Sequence, residues 1–218
     1  MRRSEKAEQI FARLARANPS PKGELDHVNP YTLLVAVVLS AQATDKGVNR
    51  ATAALFRQVT TPQQMLDLGE AGLIEHIKSI GLFRAKAKNV IRLSQDLIDH
   101  HGGEVPTTRE ELEKLPGVGR KTANVVLNMA FGQPTMAVDT HVFRVSQRLG
   151  LAKGKTPLAI EEQLVKVVPE RFMQHAHHWL ILHGRYTCLA RGPKCVECPV
   201  EDLCAFKGKA KPATRKSK

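Results

Sequence analysis

Helix punctuation limits this chain's fold more than any other feature. At Asn29-Pro30, Thr61-Pro62 and Thr156-Pro157 a capping residue is followed directly by proline ahead of a helix-compatible stretch. Proline at the first helical position lacks an N–H that the helix does not use, and the residue before it accepts from N–H groups further in. Gln64 stands three residues beyond Thr61, and Glu111 three beyond Thr108, which is capping-box spacing. The pattern predicts a buried helix from Pro30 through Leu39, and another near Leu73 to Ile80 that ends at Gly81. Ala87, Val90, Ile91, Ser94, Leu97 and Ile98 keep a 3.6-residue period that Gly102 closes. Phe172, Ala176, Trp179 and Leu180 mark a later helix, expected to stop at Gly184. No stretch alternates with a period of two, so the chain reads as all-α.

Its 218 residues suit one large domain or two small ones. The net charge is +12; the last twelve residues hold six cations (Lys207, Lys209, Lys211, Arg215, Lys216, Lys218) and no acid, so the rest still carries +6. That balance favours a polyanionic partner such as nucleic acid. The tail reads as a disordered, non-specific tether. The longest apolar run, Leu33 to Leu39, is far too short to span a bilayer. No apolar stretch follows Met1-Arg2-Arg3, so the expectation is a cytoplasmic protein with reduced thiols and no membrane partner. Nothing points to an oligomer, and a monomer is expected.

The chemistry concentrates in Leu115-Pro116-Gly117-Val118-Gly119-Arg120-Lys121-Thr122-Ala123. Two glycines around a valine permit a tight hairpin, and the helix that follows opens with outward N–H groups suited to a phosphate. Asn124 to Phe131 is apolar almost all round, so Lys121 lies where a core helix meets the surface. An ordinary turn beside one of many lysines is the plain alternative.

All four cysteines fall within seventeen residues, Cys188, Cys195, Cys198 and Cys204, spaced C-x6-C-x2-C-x5-C. Such bunching in a reducing compartment marks a four-thiolate metal site. Zinc ribbons use two C-x2-C knuckles and this chain has one, which leans towards iron–sulfur without excluding zinc. Arg191 and Lys194 lie on the same loop and are candidates for phosphate contact.

These motifs, with Leu39-Ser40-Ala41-Gln42-Ala43-Thr44-Asp45, Ile80-Gly81-Leu82 and Val138-Asp139-Thr140-His141-Val142-x-Arg144, resemble the endonuclease III family, DNA glycosylases of the helix-hairpin-helix superfamily. The resemblance runs from near the N-terminus to Cys204. It implies two helical lobes with a DNA groove between them. Residues 1–26 would be an N-terminal helix of the cluster lobe, and 27–134 a six-helix barrel with the helix-hairpin-helix at 109–131. Residues 135–206 would complete the cluster lobe, with the iron–sulfur loop at 188–204, leaving 207–218 as the tail. It further implies a [4Fe-4S] cluster on the four cysteines and a substrate of duplex DNA carrying oxidised pyrimidines or abasic sites. Lys121 and Asp139 match the catalytic pair. Gln42 and Leu82 match the residues that fill the gap left by an extruded base, and Leu115, Gly117, Val118, Gly119, Arg120 and Arg144 join the expected DNA contacts.

A stacked base cannot be attacked, so it must be flipped out at a few kcal/mol, which an apolar wedge and a polar filler offset. Lys121 would attack the sugar C1′ as a neutral amine to give a Schiff base. Asp139 would accept a proton and stabilise the developing sugar cation, and it is equally a helix N-cap before Thr140. Two rivals stand beside this. One is a monofunctional glycosylase in which Asp139 activates water; the other is a non-catalytic helix-hairpin-helix DNA-binding protein, which needs neither Lys121 nor Asp139.

Overall fold

The computed structural model describes residues 1–209. Among these residues there are ten α-helices and no strand: α1 (Arg3–Ala17), α2 (Pro30–Leu39), α3 (Asp45–Leu55), α4 (Pro62–Ile77), α5 (Phe83–His101), α6 (Arg109–Leu112), α7 (Arg120–Phe131), α8 (Thr140–Leu149), α9 (Pro157–Val167) and α10 (Glu170–Tyr186). A single 3₁₀ turn covers Cys195–Glu197. No helix among the described residues is long and apolar enough to cross a membrane. The basic tail expected from Lys207 lies outside the described residues from position 210 onward.

The chain divides into two compact units, one of residues 23–133 and one of residues 1–22 with 134 onward. The first holds α2 to α7. Its centre is α2, which is buried from Tyr31 to Leu39, as expected for a helix apolar on every side. Helices α3, α5 and α7 pack against α2, and α4 pairs with α5. The only polar atoms that α2 brings into this core are satisfied. Thr32 completes the Asn29 capping box, and the Tyr31 hydroxyl pairs with Ser94 Oγ at 2.7 Å.

The second unit gathers α1, α8, α9 and α10. Phe11, Phe172 and Trp179 form an aromatic centre with ring centroids 6.0–6.2 Å apart. Trp179 keeps its indole N–H satisfied by donating to the Asn18 carbonyl at 2.8 Å. Phe11 is fully buried, so the N-terminal helix is integral to this core although more than a hundred residues separate it from α8.

Three local expectations change. Residues 62–77 form one helix kinked at Gly69 (φ 71°, ψ 169°), and it ends at Ile77, not Ile80. Gly184 does not stop α10, which runs on to Tyr186. A Cβ there would lie 2.8 Å from the His141 Cβ, so this glycine permits close approach of α8. The Thr108 cap forms, with Thr108 Oγ accepting from the Glu111 N–H at 3.4 Å. The reciprocal half does not, because the Glu111 carboxylate binds Lys114 Nζ at 2.6 Å.

Candidate active site and cysteine loop

The hairpin joins α6 to α7 within the 23–133 unit. Val118 N–H closes its turn on the Leu115 carbonyl at 3.1 Å. Leu115 and Val118 are 3% and 7% exposed, so their side chains anchor the turn and its outward face is backbone. Gly117 is required twice over. Its φ is +80°, and a Cβ would lie 3.1 Å from Asn89 Nδ2 and 3.3 Å from Val38 Cγ1. The hairpin is therefore seated where α2 and α5 meet. Gly119 is the N-cap of α7, with no side-chain cap and with open space where a Cβ would stand. The helical ladder begins with Ala123 N–H to the Gly119 carbonyl at 2.9 Å. Half-buried Arg120 and Lys121 thus lie in the first turn of a helix whose mouth is left open by glycine, an arrangement that suits an anion.

Gln42 and Leu82 stand out on backbone geometry alone. They are the only non-glycine residues with positive φ among those described, at 53° and 60°. Left-handed backbone disfavours any residue with a Cβ, and such strain concentrates at functional positions. Gln42 caps a turn closed by Ala43 N–H to the Ser40 carbonyl at 3.0 Å, four residues beyond Val38. Leu82 is the N-cap of α5 and is 62% exposed, so its apolar side chain is held out from the core on strained backbone. No sequence rule signals this geometry.

Below Leu82, Lys86 is 5% exposed and its Nζ has no hydrogen-bond partner. Burial holds this amine below the usual lysine range.

The remaining expected residues belong to the other unit. Asp139 is half-buried and caps α8, its Oδ1 accepting from the Val142 N–H at 2.7 Å. Its role as an N-cap, which the sequence suggested, is real and fixes the carboxylate. Arg144, expected to contact DNA, directs its guanidinium inward: Nε donates to the Cys188 carbonyl at 3.1 Å and Nη2 to the Gly184 carbonyl at 2.8 Å. It ties α8 to α10 and to the start of the cysteine loop. Arg191 and Lys194 are exposed on that loop.

The four cysteines are half-buried free thiols. Arg148 organises them from α8, a role that sequence reasoning missed. Its Nη1 donates to Cys188 Sγ at 3.4 Å and to the Leu189 carbonyl at 2.6 Å, and its Nη2 to the Ala190 carbonyl at 3.0 Å. Its own carbonyl accepts from Cys204 Sγ at 3.3 Å and Ala205 N–H at 3.1 Å, while its guanidinium lies 4.3 Å over the Phe206 ring. Nothing in the sequence separates this arginine from others on helix faces. His183 Nε2 lies 3.7 Å from Cys198 Sγ. Burial pushes the Cys198 thiol up, and the other three cysteines add to that shift. Burial raises Cys204 as well. Four clustered thiols, with Cys198 and Cys204 costly to ionise alone, form a donor set that fits a cationic group. Among the described residues, no group of three or more His, Cys, Asp or Glu side chains is already arranged around a single ion.

Residues 35–170 match the family described as HhH-GPD superfamily base excision DNA repair protein. An endonuclease III of Haemophilus influenzae is 60% identical over 92% of this chain and 95% of its own length. The Escherichia coli K12 endonuclease III is 56% identical over 92% of this chain and 95% of its own. A solved structure of a trapped covalent intermediate between an endonuclease III and DNA is 46% identical, with a TM-score of 0.88, and covers 94% of this chain and 97% of that one. With this similarity over nearly its whole length, the chain belongs to the HhH-GPD superfamily of base-excision DNA repair proteins and, within it, to the endonuclease III family.

Proposed function

We propose that this protein is a bifunctional DNA glycosylase and abasic-site lyase that removes oxidised pyrimidines from duplex DNA, acting as a monomer in the bacterial cytoplasm. The observation that carries the proposal is Lys121 in the first turn of α7, directly behind the glycine-open mouth of the hairpin. A phosphate held by that mouth presents its sugar to an amine. The similar protein caught as a covalent intermediate with DNA supports a reaction that passes through an enzyme–DNA bond.

The proposed sequence of steps is as follows. Leu82 enters the stack and Gln42 occupies the vacated position as the damaged base turns outward. The Lys121 amine forms a bond to C1′ as the base leaves with the glycosidic electrons and a proton. Asp139 accepts the proton that the amine gives up, returns it to the departing base, and stabilises positive charge on the sugar. Opening of the sugar ring gives an imine. Loss of a C2′ proton then expels the 3′ phosphate by β-elimination, and water releases Lys121. Arg120, Arg191 and Lys194 contribute positive charge towards the DNA backbone. Within the hairpin, Leu115 and Val118 act through the backbone they support.

Cys188, Cys195, Cys198 and Cys204 would hold a [4Fe-4S] cluster. When bound, the cluster supplies compensating charge for four thiolates and fixes the loop bearing Arg191 and Lys194. Arg148 and Arg144 hold that loop from α8.

Borohydride reduction in the presence of abasic duplex should trap a covalent complex, and Lys121→Gln should abolish trapping while DNA binding persists. Trapping that survives the substitution removes Lys121 as the nucleophile. Base release without strand cleavage by the unaltered protein would replace this reading with the monofunctional one.

A further inference from the structure

We infer that His177 is a positioning residue for Asp139, holding the carboxylate in place from α10 through the backbone; the inference rests on Asp139 being catalytic as proposed above. Asp139 ends a connector in which Met136, Ala137 and Val138 are 1%, 1% and 5% exposed. This stretch is neither helix nor strand, so no ladder satisfies its backbone. A buried carbonyl without a partner is costly. His177, 4% exposed, meets the need: its Nδ1 lies 2.7 Å from the Ala137 carbonyl oxygen. A carbonyl only accepts, so Nδ1 carries the proton and donates.

The contact lies two residues before Asp139. On the other side, His141 is pressed against Gly184, where a Cβ would come within 2.8 Å of the His141 Cβ. His177 and Gly184 are seven residues apart, two turns along the same face of α10. One rigid helix therefore grips the chain two residues before Asp139 and two residues after it. Between these grips the carboxylate is oriented by its own bond to the Val142 N–H at 2.7 Å. Without the His177 bond, the Ala137 carbonyl loses the partner that sets the 137–138 peptide plane, and a tilt of that plane shifts the Asp139 backbone and changes where Oδ2 points. Displacements of about 1 Å at a reacting group reduce rates by up to about 100-fold.

The test compares His177→Leu, His177→Asn and His177→Gln in the iron-loaded protein, reading the single-turnover rate of base release and the dissociation constant for lesion duplex. Asparagine places an N–H donor where imidazole Nδ1 stands, whereas the glutamine amide reaches one bond further. His177→Leu should lower base release about 10- to 100-fold with DNA affinity changed less than about twofold. His177→Asn should recover most of the rate and His177→Gln should not. If the leucine variant does not fold, the asparagine–glutamine comparison decides. Wild-type rates in His177→Leu, equal rates in the asparagine and glutamine variants, or a loss that follows DNA affinity would each overturn the inference. Asp139→Asn separates the two readings. If it retains full base release, the proposed function of Asp139 fails; if it is inactive while His177→Leu is fully active, only the positioning role fails.

Discussion

Replacing Leu82 by glycine and by alanine separates what the backbone at this position costs from what the side chain does. Leu82 is held at φ 60°, where a Cβ costs roughly 1–2 kcal/mol. Glycine removes that cost but adds about 0.5–1 kcal/mol of unfolded-chain entropy. Leu82 is 62% exposed, so truncation forfeits well under half of the roughly 1.5–3 kcal/mol that full burial of a leucine provides. These quantities nearly cancel for Leu82→Gly, and its stability should lie within about 1 kcal/mol of wild type, a shift of no more than about 4 °C in Tm. Leu82→Ala loses the same side chain but keeps the Cβ penalty, so it should be less stable than Leu82→Gly by about 1 kcal/mol. Both should release bases more slowly, because the few kcal/mol needed to extrude a base is no longer offset by a wedge. The assays are urea unfolding monitored by circular dichroism and single-turnover excision on a thymine-glycol duplex. An alanine variant as stable as the glycine variant would refute the strain argument. Either variant excising at the wild-type rate would refute the wedge.

Three other expectations follow from buried polar groups and the cysteine loop. Lys86→Met replaces an unpartnered buried amine with an apolar chain of similar length and should raise stability by about 1–3 kcal/mol in chemical unfolding; a loss would mean the amine has a stabilising role. His178 is held below the ordinary histidine value by burial and then by the charge of His175, so the fold binds its proton less readily than the unfolded chain, which does so near pH 6.5. Stability present above that pH is therefore lost as the pH falls below it. His178→Leu should make the decline below about pH 6.5 shallower, and an unchanged slope in urea midpoints would count against this assignment. Arg148→Met removes the donor to Cys188 Sγ and the Leu189 and Ala190 carbonyls. Iron content and absorbance near roughly 400 nm should fall relative to wild type; full iron loading with unchanged chelator resistance would show that the loop closes without it.

Much of the helical framework was legible because it obeys local rules. Asn29, Thr61, Thr156 and Asp139 cap helices where short polar side chains precede helix-compatible turns, and α2 is buried because it has no polar face. The misreadings fall where a distant segment overrides a local signal. Gly184 looked like a stop and is a close-contact point inside α10. Glu111 had capping-box spacing, yet Lys114 claims its carboxylate. Arg144 was legible only as a candidate DNA contact, and its bonds to the Cys188 and Gly184 carbonyls come from segments distant in sequence.

What the sequence determined by itself is the chemical inventory: an all-helical chain, a hairpin leading into Lys121, a capping Asp139 and four clustered thiols. Spacing along a chain is enough for these because caps, turns and ligand loops are made by residues close in sequence. Tertiary structure alone decided how that inventory is held. It strained Gln42 and Leu82 into left-handed backbone, seated Gly117 against Asn89 and Val38, made Arg148 the strut of the cysteine loop and set His177 behind Asp139. The residues in each of these contacts come from separate elements or adopt a conformation their own side chains disfavour. Only the free energy of packing the whole unit selects them.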